Sequence, residues 1–315
     1  VSQVSRQSSF PRRFHAYLAE RFPPLNYGVL IVCYYSSNQF LAQTLENPGS
    51  AVHYSISSLM GALTLLAMFF HLRVFDDHKD AERDLRFFPQ RVLSRGLVTL
   101  RQLKVAGALA IGLELLLGAW RGPAALSAVL LALGFSLMML KEFFVREWLN
   151  RHFLLYAVSH MLIMPLLALV AYSFTTGKYP WQAPSWFWLY AFVGVFVTFN
   201  WEISRKIRAP EDEVAGLDSY SQIFGAYGAA YLVILIRVVD TLLVSLVGWH
   251  LGLSALFYGA LAALFLLCLV GLLQFRFRTS RVTARRMESY AGIYIIAFDL
   301  ILAVEIARAY PFRLF

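Results

Sequence analysis

Residues 61–84 read GALTLLAMFFHLRVFDDHKDAERD. The apolar run that leads into this stretch begins near residue 52 and ends at residue 75. That is about the 20 residues a helix needs to cross the hydrocarbon core of a bilayer. It stops in Asp76, Asp77, Asp80, Glu82 and Asp84, five carboxylates in nine residues. Carboxylates held against a membrane are costly unless something binds them. On a helix Asp76/Asp80 and Asp80/Asp84 lie four apart and Asp77/Asp80 three apart, so like charges crowd one face and repel. A hard divalent cation relieves that repulsion, and Mg2+ suits a few carboxylates completed by phosphate oxygens. The plainer alternative is a solvated acidic loop neutralised by Lys79, Arg83 and Arg86.

Outward from this stretch, apolar runs of similar length recur. Nine are long enough to cross, at roughly 26–44, 52–75, 103–120, 123–140, 153–174, 184–201, 222–247, 251–274 and 286–307. Hydrophobic residues make up 59% of the 315 and charged residues 15%, with mean hydropathy +0.59. Soluble domains carry about 25% charged residues, so this chain cannot coat a globule in water. No alternating ten-residue strands occur, which leaves helices as the spanning element. An all-α integral membrane protein of about nine transmembrane helices is expected. Arg121-Gly-Pro123 reads as a tight turn, and Met164-Pro165 as a kink in the fifth span. Cys33 and Cys268 fall in apolar runs and read as packed thiols.

Lysine and arginine orient the spans. With the N-terminus inside, twenty-one fall in inner segments and four, Arg121, Lys178, Arg308 and Arg313, in outer ones. The positive-inside rule then puts the N-terminus in the cytoplasm and the C-terminus outside. A bacterial inner membrane is the expected location. Residues 1–25 read as an uncleaved cytoplasmic or interfacial tail, and 26–315 as the membrane domain. The net charge of +9 does not signal nucleic acid, because the bases are spread over short loops where membrane lipid or an anionic substrate meets them.

A second polar loop follows the sixth span: Asn200-Trp-Glu202-Ile-Ser-Arg205-Lys206-Ile-Arg208-Ala-Pro210-Glu211-Asp212-Glu213. Arg205, Lys206 and Arg208 have the chemistry to clamp phosphate oxygens, and Asn200 sits where it can join a metal shell. Four spans separate this loop from the acidic one, which puts both on the same side of the membrane. Within the spans Glu114, His160, Arg237, Asp240, Asp299 and Glu305 are functional candidates by position. Arg237 and Asp240, three apart, suit an internal ion pair.

The arrangement resembles the UbiA superfamily of intramembrane prenyltransferases. Asp76-Asp77-His-Lys-Asp80-Ala-Glu-Arg-Asp84 matches that family's N/D-D-x-x-D-x-x-x-D motif. Arg91-Val-Leu-Ser-Arg-Gly96 is similar to its R-P-L-x-x-G segment, with Val92 in place of proline. Lys141 stands where the family often has a lysine, and Gly216–Gly225 resembles the segment after its second acidic motif. That second motif departs, since D-x-x-x-D falls on Arg208-x-x-x-Asp212, leaving Glu202, Glu211 or Glu213 to supply the missing acid. The resemblance implies helices bundled around a central cavity, Mg2+ on Asp76, Asp77, Asp80, Asp84, Glu202 and Asp212, and a prenyl diphosphate donor. It implies that Arg91, Lys141, Arg205, Lys206, Arg208 and Asn200 bind the donor, with the four aspartates, Lys141 and Arg208 taking part in catalysis. A lipophilic small molecule would accept the prenyl group. Two other readings remain open: a terpene cyclase of the same superfamily, and a non-catalytic lipid-binding protein or transporter.

Overall fold

The computed structural model describes residues 5–214, 216 and 218–314. Residues 1–4 of the expected tail, and Leu217 within the Gly216–Gly225 segment, lie outside them. The described residues form a helical bundle: α1 (Phe10–Arg21), α2 (Pro24–Glu46), α3 (Ile56–Lys79), α4 (Ala81–Phe87), α5 (Leu100–Arg121), α6 (Pro123–Leu140), α7 (Arg146–Arg151), α8 (Phe153–Met161), α9 (Ile163–Thr176), α10 (Ser185–Arg205), α11 (Tyr220–His250), α12 (Ala255–Phe277) and α13 (Arg281–Ala309). Two short strands, β1 (Val52–His53) and β2 (Phe312–Arg313), pair in parallel.

Local sequence sets many of these boundaries. The Ser55/Ser58, Thr99/Gln102 and Ser280/Thr283 pairs form reciprocal capping boxes that satisfy first-turn amides of α3, α5 and α13. Gly122 at φ +125° turns the chain before Pro123 starts α6, as the sequence suggests. The fifth crossing breaks at Leu162, between α8 and α9 and three residues before Pro165, whose missing N–H removes a helical hydrogen bond. In α11, Gly225 takes φ +69° and ψ +158°, backbone open essentially to glycine alone, and kinks the helix near its start.

Among the described residues eight helices are long and apolar enough to cross a membrane, counting α8–α9 as one. The expected first span, α2, has 23 residues but falls short in apolarity, because Ser36, Ser37, Asn38 and Gln39 interrupt it. All four are buried and bond within the protein, Ser36 to Tyr54, Ser37 to Asp299, and the Asn38 and Gln39 amide groups to the Tyr34 and His53 carbonyls, while the Asn38 and Gln39 side-chain oxygens are buried without a partner among the described residues. The protein is an integral membrane protein with an all-helical fold.

Long-range bonds sort the connections into two ends. At one end Arg21 on α1 bonds Asp77, and Arg281 at the start of α13 bonds Asp212. At the other, Val52 pairs with Phe312, Lys178 bonds Glu46, Arg121 bonds the Phe174 carbonyl, and the Ser254 amide bonds Glu305. Both polar loops noted in the sequence therefore lie at the first end.

Candidate active site at one end of the bundle

The acidic stretch divides between two directions. Asp77 on α3 and Asp84 on α4, either side of the break at Asp80, both turn toward α1 and are buried. Asp77 accepts from the Tyr17 hydroxyl at 2.7 Å and from Arg21 at 2.5 and 3.0 Å, with Arg73 at 3.2 Å. Burial, with the Asp77 charge beside it, pushes the Tyr17 hydroxyl well above its ordinary pKa. Asp84 pairs with Arg91 at 2.6 Å and Arg21 at 3.4 Å. Arg91 stacks on Phe88 at 3.8 Å.

Asp76 and Asp80 turn the other way, toward α8 and α10. Their side chains remain 44% and 26% exposed, which leaves room for a ligand. Asp76 meets Lys79 at 3.3 Å and Arg73 at 3.8 Å, and Asp80 meets Arg83 at 2.6 Å. Desolvation raises the Asp80 pKa; Arg83 opposes it, while Asp76 and Asp84 add to it. The repulsion inferred from residue spacing is thus present around Asp80.

Opposite Asp76 and Asp80, at the end of the bundle here called the mouth, Glu202 near the end of α10 is buried and held by Arg205 and Lys206, each at 2.6 Å. Arg205 lies over Trp201 and Lys206 over Phe153, both at 5.0 Å. Arg205 is within electrostatic reach of Asp76 and Arg73, and His160 is within reach of Asp76 and Glu202. The two loops therefore converge.

Between them lies a group that loop reading alone does not assemble. His160 Nδ1 donates to the Tyr156 carbonyl at 2.7 Å, which fixes the tautomer and leaves the Nε2 lone pair to accept from the Lys79 ammonium at 3.2 Å. The His160 ring stacks on Tyr156 at 4.2 Å and takes the edge of Phe143 at 5.7 Å. Phe143 lies in a turn where Glu142, Phe143 and Phe144 all have positive φ, 48°, 52° and 60°. Tyr156 and His160 are four apart on α8, a spacing the sequence displays, but their meeting with Lys79 spans 81 residues.

The other expected residues are placed as follows. Lys141 is exposed at the end of α6, two residues before Phe143. Arg208 follows α10, half-buried, its amide donating to Ser221 Oγ at 2.6 Å. Asp212 forms a bidentate pair with Arg281, whose hydrogen bonds hold its carboxyl below the usual range. Glu213 accepts from Ser219, and Glu211 from the Arg281 amide. Asn200 is fully buried and faces α11, where its amide donates to the Val233 carbonyl at 2.6 Å and its oxygen accepts from Arg237 at 2.7 Å. Arg237 also meets Asp240 at 2.8 Å and lies 3.4 Å over the Tyr294 ring, so the expected internal ion pair is present within a larger network. A second buried group joins His71 to Glu114 at 2.6 Å and to Ser136 at 3.0 Å. A third joins Asp299 to Ser37 and Tyr190.

Among the described residues no three acids, histidines or cysteines stand close enough to cage a metal. Two hard, part-exposed carboxylates on one helical face nevertheless fit Mg2+, which keeps few protein ligands and shares its shell with phosphate oxygens.

The Arg21–Asp77 bond makes a test of this division. Arg21→Met should lower stability by about 1.5–3 kcal/mol, the range for a hydrogen-bonded charge. A double-mutant cycle with Asp77→Asn in detergent thermal unfolding should return a coupling above about 1 kcal/mol. Additive losses would mean that α1 is not held by this bond.

Three solved structures are similar in fold. A structure of digeranylgeranylglyceryl phosphate synthase superposes with TM-score 0.62 at 16% identity, covering 94% of this chain and 99% of that one. An apo UbiA homologue from Aeropyrum pernix K1 gives 0.66 at 15% identity, over 88% and 98% of the two chains. A UbiA homologue from Archaeoglobus fulgidus bound to GPP and Mg2+ gives 0.56 at 14% identity, over 92% and 99%. No curated protein matches the chain. Residues 31–294 match the UbiA prenyltransferase family, and this chain therefore belongs to that family.

Proposed function

We propose that the chain is a Mg2+-dependent intramembrane prenyltransferase that ionises an isoprenoid diphosphate and passes the prenyl group to an aromatic or other lipophilic acceptor. The observation that carries this reading is the convergence of Asp76 and Asp80 with the Glu202–Arg205–Lys206 cluster at one end of an apolar bundle. The Archaeoglobus fulgidus homologue, bound to GPP and Mg2+, supports the choice of donor and metal. In this reading the mouth faces the cytoplasm, on the side richer in arginine.

Asp76 and Asp80 would hold the metal, with Glu202 on the opposite side; Asp77 and Asp84 bond Arg21 and Arg91 instead. When bound there, Mg2+ would supply the positive charge that neutralises a leaving diphosphate. Arg205 and Lys206 take up further negative charge as the C–O bond breaks and its electron pair leaves with diphosphate. Lys79 adds a third cation, and Lys141 and Arg208, the other cations expected to clamp the donor, stand at the same end of the bundle. The rings of Tyr156, Phe143 and Phe153 stand beside the cluster, and aromatic surface of this kind stabilises an allylic cation. The acceptor forms the new bond and releases a proton, which water at the open end of the site takes up, since the His160 Nε2 lone pair already accepts from Lys79.

Membranes containing the full chain, supplied with geranyl diphosphate and Mg2+, should release diphosphate and yield a prenylated lipophile by mass spectrometry, and chelation should stop both. A cyclic terpene formed from donor alone would replace transfer with cyclisation. Flux of the diphosphate without chemical change would overturn the enzymatic reading.

A further inference from the structure

A groove of about 400 Å³ opens between the end of α12 and the start of α13, lined by Val270, Leu273, Gln274, Phe277, Arg278, Thr283 and Arg286. It stands apart from the mouth. Glu288 on α13 lies within reach of Arg205, and Arg286, two residues earlier, projects from the opposite flank of the helix. The groove's lower wall is apolar and exposed: Val270, Leu273 and Phe277 follow one another at helical spacing along α12, and exposed Leu266 continues the stripe below the groove. Phe277 is 83% exposed at the top of that stripe. The upper rim is cationic, with Arg278 and Arg286, and no acidic side chain lines it. Gln274 Oε1 accepts one bond from Arg286 at 3.1 Å, which steadies the guanidinium and leaves its other donors free. Arg278 makes no side-chain bond among the described residues.

An apolar stripe continuous with the lipid-facing side of a span, topped by two arginines at the polar end, matches one ligand chemistry. We propose that this groove is a binding site for an anionic phospholipid, with the headgroup phosphate between Arg278 and Arg286 and the acyl chains along Phe277, Leu273 and Val270. Charge complementarity selects the headgroup, and the exposed stripe selects a lipid over a soluble phosphate. The site is independent of the prenyltransferase reading, because none of its residues belongs to the mouth.

The test uses the full chain, purified in mild detergent, delipidated, and offered equal phosphatidylglycerol and phosphatidylcholine in mixed micelles. Retained lipid is counted by native mass spectrometry. The wild type should retain phosphatidylglycerol preferentially. Arg278→Gln with Arg286→Gln should reduce the retained phosphatidylglycerol at least threefold. Arg12→Gln with Arg101→Gln, which removes the same charge from exposed positions at the same end, should leave it unchanged. Arg278→Gln alone removes a side chain that bonds nothing, so it keeps the test decisive if the double variant fails to fold. Equal retention of both lipids, an unchanged preference in the groove variants, an equal loss in the control, or displacement by millimolar inorganic phosphate would each overturn the site.

Discussion

Asp80→Ala, and separately Asp76→Ala, should lower kcat/KM for diphosphate release by about a thousandfold, on the order of 4 kcal/mol of barrier. The reason is the direction these two side chains take. They are the acids of the stretch that keep exposure toward α8 and α10, and burial with neighbouring carboxylates already disfavours charge on Asp80. On the proposed reading, removing either would deprive a shared cation of a hard ligand, so the Mg2+ concentration for half-maximal activity should rise as the rate falls. Asp77→Ala should behave differently. It strands Arg21 and Tyr17, so its main effect should appear in thermal unfolding, with a smaller change in Mg2+ requirement. If Asp77→Ala and Asp80→Ala shift the Mg2+ requirement equally, all four aspartates act on the metal and the division is wrong.

The second large effect lies deeper in the bundle. Arg237→Met should destabilise the protein by about 3–5 kcal/mol, because it leaves Asp240 buried and unpaired. The double variant Arg237→Met/Asp240→Leu should recover most of that loss, since removing both charges also removes the need to desolvate them. Thermal unfolding in detergent measures both. A loss below about 1 kcal/mol for the single variant would resemble an exposed ion pair and would mean that water reaches the site.

Much of this could be read from residue order. Apolar length located the crossings because a bilayer demands some twenty residues per helix. The acidic stretch announced a charged end, and counting spans brought it level with the basic loop. Pro165 marked the break in the fifth crossing, and the i,i+3 spacing of Arg237 and Asp240 gave their bond. Periodicity also separates Asp76/Asp80 from Asp77/Asp84, but it cannot say which neighbour each pair faces. That depends on α1 docking across the end of α3, a contact between residues 17–21 and 77 that no local pattern carries. Asn200 shows the same limit. Its closeness to Glu202 in sequence suggests the mouth, while the two-residue offset turns it onto α11. In α2, the polar run that lowers hydropathy is the part the bundle encloses most fully, so a scale built for lipid-facing helices undervalues it.

The turn at Glu142–Phe144 reverses the screw sense of the backbone for three successive residues without a glycine. Each such residue costs about 1–2 kcal/mol relative to right-handed backbone. Phe144, 80% exposed, looks by accessibility alone like a position open to any side chain. It is not, because a β-branched residue there would collide with its own main chain whatever the surroundings. Tolerance to substitution at this corner is therefore set by handedness and not by depth.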